Sequence, residues 1–171
     1  AENAGRPHST FRAGTCLVYG IWSVLLTGHF YLLGPFSYLR YKEELDGPLA
    51  RRVLSAREWF SDPVATLNPY FQAGSDRLAG DVMFDVTILP YAILPVWLWL
   101  GAIYFLQVFI SSYFTHRLAR DNFGVSRIGA FAGGIVATTV VGPPGAYFVF
   151  ISYQEFSMAA LPLLLWIFGR W

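Results

Sequence analysis

Residues 86–116, VTILPYAILPVWLWLGAIYFLQVFISSYFTH, contain no Asp, Glu, Lys or Arg, and this stretch decides the fold of the chain. Residues 13–39 and 128–154 are equally free of these charged residues. A helix needs about 20 apolar residues to cross the hydrocarbon core of a bilayer. The runs lack the alternation that a membrane β-strand requires. The sequence therefore predicts an all-α integral membrane protein.

The overall composition agrees with a membrane protein. Hydrophobic residues make up 55% of the 171 residues, whereas charged residues make up 13%. The formal net charge of +1 excludes a polyanion-binding surface, so we expect no nucleic-acid partner. The single cysteine, Cys16, cannot form an internal disulfide.

The apolar runs predict one membrane domain over 13–171, preceded by a polar arm over 1–12. We expect four transmembrane helices, at about 15–38, 86–113, 123–141 and 146–168. The last two are separated by Gly142-Pro143-Pro144-Gly145, because proline lacks an amide donor and biases the preceding residue away from helical angles. Four helices with short later connections predict an antiparallel bundle. Three spans followed by a surface helix over 156–169 are the alternative.

The connection 40–85 is predicted to be solvated, since it holds eight acidic and six basic residues. Asp46-Gly47-Pro48 is a suitable start for a short amphipathic helix within it. Such a helix lies on the membrane surface or is an ordinary loop helix. Basic residues are divided evenly between the two sides of the predicted membrane domain, so the orientation stays open.

Arg117, Asp121, Gly129 and Gly133 form a spaced motif, Arg-x3-Asp-x7-Gly-x3-Gly, between the last two apolar runs. Arg117 and Asp121 are four residues apart, so they pair if the segment is helical. Such a pair would fix the geometry between the second and third helices.

Small residues in the third helix predict close helix packing. Gly129, Gly133 and Ala137 recur every four residues, with Ala130 and Gly134 beside them. Helices in lipid associate through van der Waals contact at such surfaces. We interpret these residues as an assembly surface, which packs within the chain or, alternatively, against another copy.

This motif resembles the preprotein and amino acid transporter family of mitochondrial and plastid membranes. Arg117, Asp121, Gly129 and Gly133 match its signature, and the run 131–137 followed by Gly142-Pro143 is similar to its third helix and turn. Ile128 and Leu106 depart from the family pattern. The family includes inner-membrane translocase channels and a related accessory subunit of respiratory complex I. The resemblance implies a location in the mitochondrial inner membrane.

The first helix carries a second resemblance, to the three-helix, chlorophyll-binding membrane subunit of photosystem I. It rests on Phe11-Arg12-Ala13-Gly14 and on Leu32-Leu33-Gly34-Pro35-Phe36. Ser23 stands where that family has an acidic pigment ligand, and Gly28-His29 reverses its His-Gly order. This alternative implies a thylakoid membrane and bound chlorophyll.

Candidate chemistry is sparse. His29 and His116 are the only histidines near the apolar runs, where they are candidate haem or chlorophyll ligands from two helices. The sequence shows no cluster of metal-ligand spacing, no phosphate loop and no nucleophile motif. Gln154 and Glu155 are polar residues inside the predicted fourth span, so they are candidates for a polar path or a subunit contact. We therefore predict a chain without catalytic residues or a metal.

Two function classes follow. In the first, the chain is a non-catalytic subunit that stabilises a large organellar membrane complex, which the family resemblance implies to be respiratory complex I. In the second, it is a component of a mitochondrial protein translocase or channel. The photosystem I subunit is a further alternative. We expect other membrane subunits and bound lipids as partners and no cofactor of its own.

Overall fold

The computed structural model describes residues 13–38, 53–57, 67–68, 75–76, 86–140 and 153–169. The long helices of this part are α1 (Ala13–Leu33), α2 (Val96–Asp121), α3 (Arg127–Val140) and α4 (Tyr153–Phe168). Short 3-10 helices cover Gly34–Tyr38 and Val86–Ala92. Strand β1 (Leu67–Asn68) pairs antiparallel with β2 (Ser75–Asp76), with Leu67 opposite Asp76. Apart from this two-residue ladder, the described secondary structure is helical, as predicted.

Two of these helical segments are long and apolar enough to cross a membrane: Ala13–Ser37 with 25 residues and Val96–Asp121 with 26. The prediction of four spans is not supported. The described part of α3 has 14 residues, which gives a length of about 21 Å. That of α4 has 16 residues, or about 24 Å. Both fall short of a hydrocarbon core of about 30 Å.

Glycine and proline set helix boundaries that differ from the predicted ones. We expected the first helix to reach residue 38, but α1 ends at Leu33 because Gly34 has a φ of 53° and precedes Pro35. We expected the second helix to begin at 86. A 3-10 helix containing Pro90 occupies this stretch instead, and α2 begins after Pro95, whose carbonyl accepts hydrogen bonds from the amides of Leu98 and Trp99.

The turn between α2 and α3 lies later than predicted. The second helix was expected to end at about residue 113 and the third to begin at about 123, but α2 continues to Asp121. Gly124 then adopts a φ of 65°, which lets the amide of Val125 donate to the carbonyl of Ala119 at 3.0 Å. Ser126 caps α3, because its Oγ accepts a hydrogen bond from the amide of Gly129 at 3.2 Å. The third helix therefore begins at Arg127 and not at the predicted residue 123.

Contacts group the chain into two compact units. The first unit consists of Ala1–Thr27 with Tyr104–Trp171, and the second of Gly28–Ile103. In the second unit, a Cβ placed on Gly101 would lie 3.0 Å from Cβ of Phe30 and 2.9 Å from Cζ of Tyr31. Gly101 thus lets these aromatic side chains pack against the backbone of α2.

At one end of the first unit, the starts of α1 and α3 lie beside the ends of α2 and α4. Tyr19 near the start of α1 contacts His116 near the end of α2. The same tyrosine reaches Phe131 near the start of α3. Trp166, near the end of α4, lies against Phe114 of α2 with ring centroids 5.4 Å apart. Two helix starts and two helix ends therefore meet at this end of the unit, as in an up-and-down bundle.

The predicted short amphipathic helix of the 40–85 connection coincides only in part with the described residues. Residues 53–57 are helical, whereas Asp46-Gly47-Pro48 lies outside the described part of the chain. The turn Gly142-Pro143-Pro144-Gly145 also lies outside it.

Candidate functional site

Polar side chains of α1 face inward and its large apolar side chains face outward. Tyr19, Ser23 and Thr27 recur every four residues and are fully buried. Each of the two smaller ones donates a hydrogen bond to the carbonyl four residues earlier: Ser23 Oγ to Tyr19 and Thr27 Oγ1 to Ser23, both at 2.8 Å. The exposed large residues of the same helix are Leu17, Val18, Ile21, Val24, Leu25, Tyr31, Leu32 and Leu33. This pattern is opposite to that of a helix at the surface of a water-soluble protein.

Tyr19 connects three helices. Its hydroxyl lies 3.1 Å from Nδ1 of His116 in α2, and it donates to the carbonyl of Phe131 in α3 at 3.3 Å. Its ring packs edge-on against Tyr113, with centroids 6.3 Å apart. His116, a predicted pigment or haem ligand, therefore has its Nδ1 beside a hydroxyl within the protein. His29 belongs to the second unit, where its ring lies 4.2 Å from that of Phe30.

The glycines of α3 have different environments. A Cβ on Gly134 would lie 2.8 Å from the carbonyl oxygen of Ser112, and it would also overlap the hydroxyl of Tyr19. Ala130, one turn earlier, is completely buried. By contrast, a Cβ on Gly133 would meet no described atom within 4 Å. A Cβ on Gly129 would meet only Val125 and Ser126, which immediately precede α3.

The contact between α2 and α3 therefore follows one of the two predicted rows of small residues. Gly134 lies at this contact and Ala130 of the same row is buried, whereas a Cβ on Gly129 or Gly133 of the other row would meet no described atom of α2 within 4 Å. Ala137 contributes through its backbone, because its carbonyl accepts a hydrogen bond from Ser111 Oγ of α2 at 3.3 Å.

Arg117 and Asp121 form the ion pair that their spacing predicts, with Nη2 and Oδ2 2.9 Å apart. Arg117 is only 4% exposed. Trp166 of α4 completes the cluster: its Nε1 donates to Oδ2 of Asp121 at 2.9 Å. The guanidinium carbon of Arg117 lies 5.4 Å from the centre of its ring. We expected the pair to fix α2 against α3, but its described contacts join α2 to α4.

A cleft of about 610 Å³ opens at this end of the first unit. We call it the basic cleft, and it is lined by Gly14, Thr15, Val18, Tyr19, His116, Arg117, Arg120, Asp121, Arg127, Ile128 and Phe131. Three of these residues are arginines and one is an aspartate, so the lining carries an excess of two positive charges. The sequence identified Arg117 and Asp121 but not the association of this pair with Arg120 and Arg127.

Two predicted residues have no described side chains. Gln154 and Glu155 lie in α4, whose helix begins at Tyr153, but their side chains lie outside the described part of the structure. A different polar residue is buried in α2: Gln107 is almost inaccessible, and its Oε1 accepts no hydrogen bond from the described residues. This residue could have been found from the sequence, because Gln107 is the one amide side chain in the charge-free run 86–116.

Among the described residues, no group of three or more His, Cys, Asp or Glu side chains is placed to hold a metal ion. The prediction of a chain without its own metal or cofactor stays a prediction.

Comparison with known proteins returns no relative. No protein-family model matches the chain, and no significantly similar sequence or fold is found among curated proteins or solved structures. The family resemblances of the motif and of the first helix therefore remain predictions from the sequence.

Proposed function

We propose that this chain is a non-catalytic integral membrane subunit that stabilises a larger membrane complex. The inverted pattern of α1 carries the proposal: Ser23 and Thr27 are fully buried, whereas Leu25 is 71% exposed. In water, each exposed leucine would forgo about 1.5–3 kcal/mol of burial free energy. In lipid there is no such loss, and small polar residues are favoured where helices meet.

Reactivity of introduced cysteines tests the membrane location. Cys16 is first replaced by Ser, and Leu25→Cys and Phe123→Cys are then made separately in nanodiscs, which leave both membrane faces open. Leu25 is 71% and Phe123 73% exposed, so the two positions are matched except for the proposed medium. We expect a water-soluble maleimide to label Phe123→Cys rapidly and Leu25→Cys at least tenfold more slowly, because a thiolate does not form in hydrocarbon. Equal labelling rates would show that α1 faces water.

The subunit role is supported by the face of α3 that carries Gly129 and Gly133. A Cβ on Gly133 would meet no described atom within 4 Å, and one on Gly129, a turn earlier on the same face, would meet only Val125 and Ser126. Val136, about one turn after Gly133, is 60% exposed. A glycine beside exposed apolar residues permits a helix of another subunit to approach closely. We propose that this face docks on a neighbouring subunit, while Gly134 packs within the chain.

Substitution by leucine separates the two kinds of contact. Gly133→Leu should leave the isolated chain as stable as the wild type but remove it from its complex. Gly134→Leu should unfold the isolated chain as well. The measurement is migration on a native gel after gentle solubilisation, beside thermal unfolding of the purified chain. A Gly133→Leu chain that still comigrates with the complex would contradict docking through this face.

The most specific form of the proposal is an accessory subunit of mitochondrial respiratory complex I in the inner membrane. Its support is the motif resemblance through Arg117, Asp121, Gly129 and Gly133. Mass spectrometry of the native-gel band tests it, because NADH-oxidising subunits should be present in the same band. A band that holds translocase or photosystem subunits instead would assign the chain to one of those complexes.

A further inference from the structure

The basic cleft combines positive charge with an apolar wall. Arg120 and Arg127 line it, and the ion pair found among the described residues, Arg117–Asp121, involves neither of them. The carboxylate of the lining, Asp121, is already engaged by Arg117 and Trp166. The charge of the lining is thus not neutralised by the described part of the protein, and a guanidinium group binds phosphate oxygens in bidentate geometry.

The apolar wall lies next to these arginines. Val18 of α1 and Ile128 and Phe131 of α3 line the same cleft, and all three are exposed. Ile128 directly follows Arg127, so a charged and a large apolar side chain stand side by side at the start of α3. A small inorganic anion would use only the arginines, whereas a ligand with both a charged group and a hydrocarbon chain would use the whole surface.

The position of the cleft along the apolar runs agrees with such a ligand. Gly14 and Thr15 lie in the first turn of α1, at the beginning of the charge-free run 13–39. His116 ends the charge-free run 86–116, and Arg117 follows it. On the proposed membrane location, these residues lie where hydrocarbon gives way to headgroups, which is where basic side chains meet lipid phosphates.

We propose that the basic cleft binds the headgroup of an anionic phospholipid. Arg120 and Arg127 contact the phosphate, and an acyl chain lies along Val18, Ile128 and Phe131. The volume of about 610 Å³ is within the range of small-molecule sites. Arg117 and Asp121 stay engaged with each other and with Trp166, which joins α2 to α4 beside the cleft. The proposal rests on the proposed membrane location, and it adds a defined lipid site to it.

Lipid binding is measured by native mass spectrometry of the delipidated full chain in detergent. The probes are phosphatidylglycerol and phosphatidylcholine with identical acyl chains, and inorganic phosphate alone. We expect phosphatidylglycerol to bind at least tenfold more tightly than phosphatidylcholine. Removing one arginine near a membrane surface should weaken anionic-lipid binding about fivefold, and removing two about thirtyfold. Arg120→Gln, Arg127→Gln and the double variant test these values, and the exposed Arg57→Gln outside the cleft is the control.

The apolar wall has its own test. Ile128→Ser should weaken phosphatidylglycerol at least threefold without changing the affinity for inorganic phosphate. Equal affinities for the two lipids, or an equal loss in Arg57→Gln, would overturn the proposal. Complete competition by millimolar phosphate with no effect of Ile128→Ser would show a free-anion site and would also overturn it.

Two further measurements distinguish loss of the lipid site from failure to fold and from failure of the membrane proposal. Thermal unfolding without lipid identifies a variant that fails to fold, and the single Arg127→Gln change at an exposed position then provides the test. If Leu25→Cys is protected from maleimide but lipid selectivity is absent, only the lipid site fails. If Leu25→Cys reacts as in water, the membrane proposal fails first.

Discussion

The close contact at Gly134 gives the sharpest test of the structure. Gly134→Ala places a methyl group 2.8 Å from the carbonyl oxygen of Ser112, whereas ordinary contacts begin at 3.4 Å. A carbonyl on a helix cannot rotate away as a side chain can, so α2 and α3 must separate locally by about 0.6 Å. The methyl group also displaces the Tyr19 hydroxyl from His116 and Phe131.

The magnitude follows from these two effects. Overpacking of this kind costs about 1–3 kcal/mol, and loss of a hydrogen bond adds about 0.5–1.5 kcal/mol. Replacing glycine by alanine inside a helix also raises the free energy of unfolding by about 0.5–1 kcal/mol, independently of the neighbouring side chains. Gly133→Ala is the matched control, because it makes the same gain on the same helix and meets no described atom within 4 Å.

We therefore expect Gly134→Ala to have a free energy of unfolding about 1.5–4.5 kcal/mol below that of Gly133→Ala. The assay is reversible unfolding of the purified chain in one detergent, followed by tryptophan fluorescence. Because both variants carry a Gly→Ala change in α3 and are measured in the same detergent, the difference between their free energies of unfolding contains neither the helix-propensity gain nor the effect of the detergent. If Gly134→Ala is as stable as Gly133→Ala, the proximity of α3 to Ser112 and Tyr19 is wrong.

Two other substitutions test separate parts of the chain. Trp166→Phe removes the Nε1 donor to Asp121 and should lower the free energy of unfolding by about 1–2 kcal/mol. The control is Trp22→Phe, which should cost less, because Nε1 of Trp22 has no acceptor among the described residues. A larger loss in Trp22→Phe than in Trp166→Phe would contradict the α2–α4 cluster. Gly101→Ala should destabilise the second unit by about 1–3 kcal/mol, because the new Cβ lies 3.0 Å from Cβ of Phe30. Gly28→Ala, which meets no described atom within 4 Å, is its control, and equal unfolding temperatures for the two variants would refute the contact.

Local features of the fold were predictable because they depend on neighbours in sequence. The charge-free runs 13–39 and 86–116 predicted the two helical segments that are long enough to cross a membrane. The i and i+4 spacing predicted the Arg117–Asp121 pair, since side chains four residues apart lie on one helix face. The boundaries were less accurate. The backbone preferences of Pro95 and Gly124 can be recognised from the sequence, but the capping hydrogen bond of Ser126 depends on the path of the chain.

The tertiary structure decided which surfaces meet. Gly133 and Gly134 differ by one position, about 100° around a helix, so the sequence offered both rows and only the approach of Ser112 distinguishes them. Tyr19 lies 97 residues from His116, and Asp121 lies 45 residues from Trp166, so no local pattern pairs them. The sequence by itself determined where apolar helices form, because hydrophobicity and backbone preference act within a few residues. Contacts between helices depend on packing over the whole unit, and those between α1, α2 and α3 alone assembled the basic cleft.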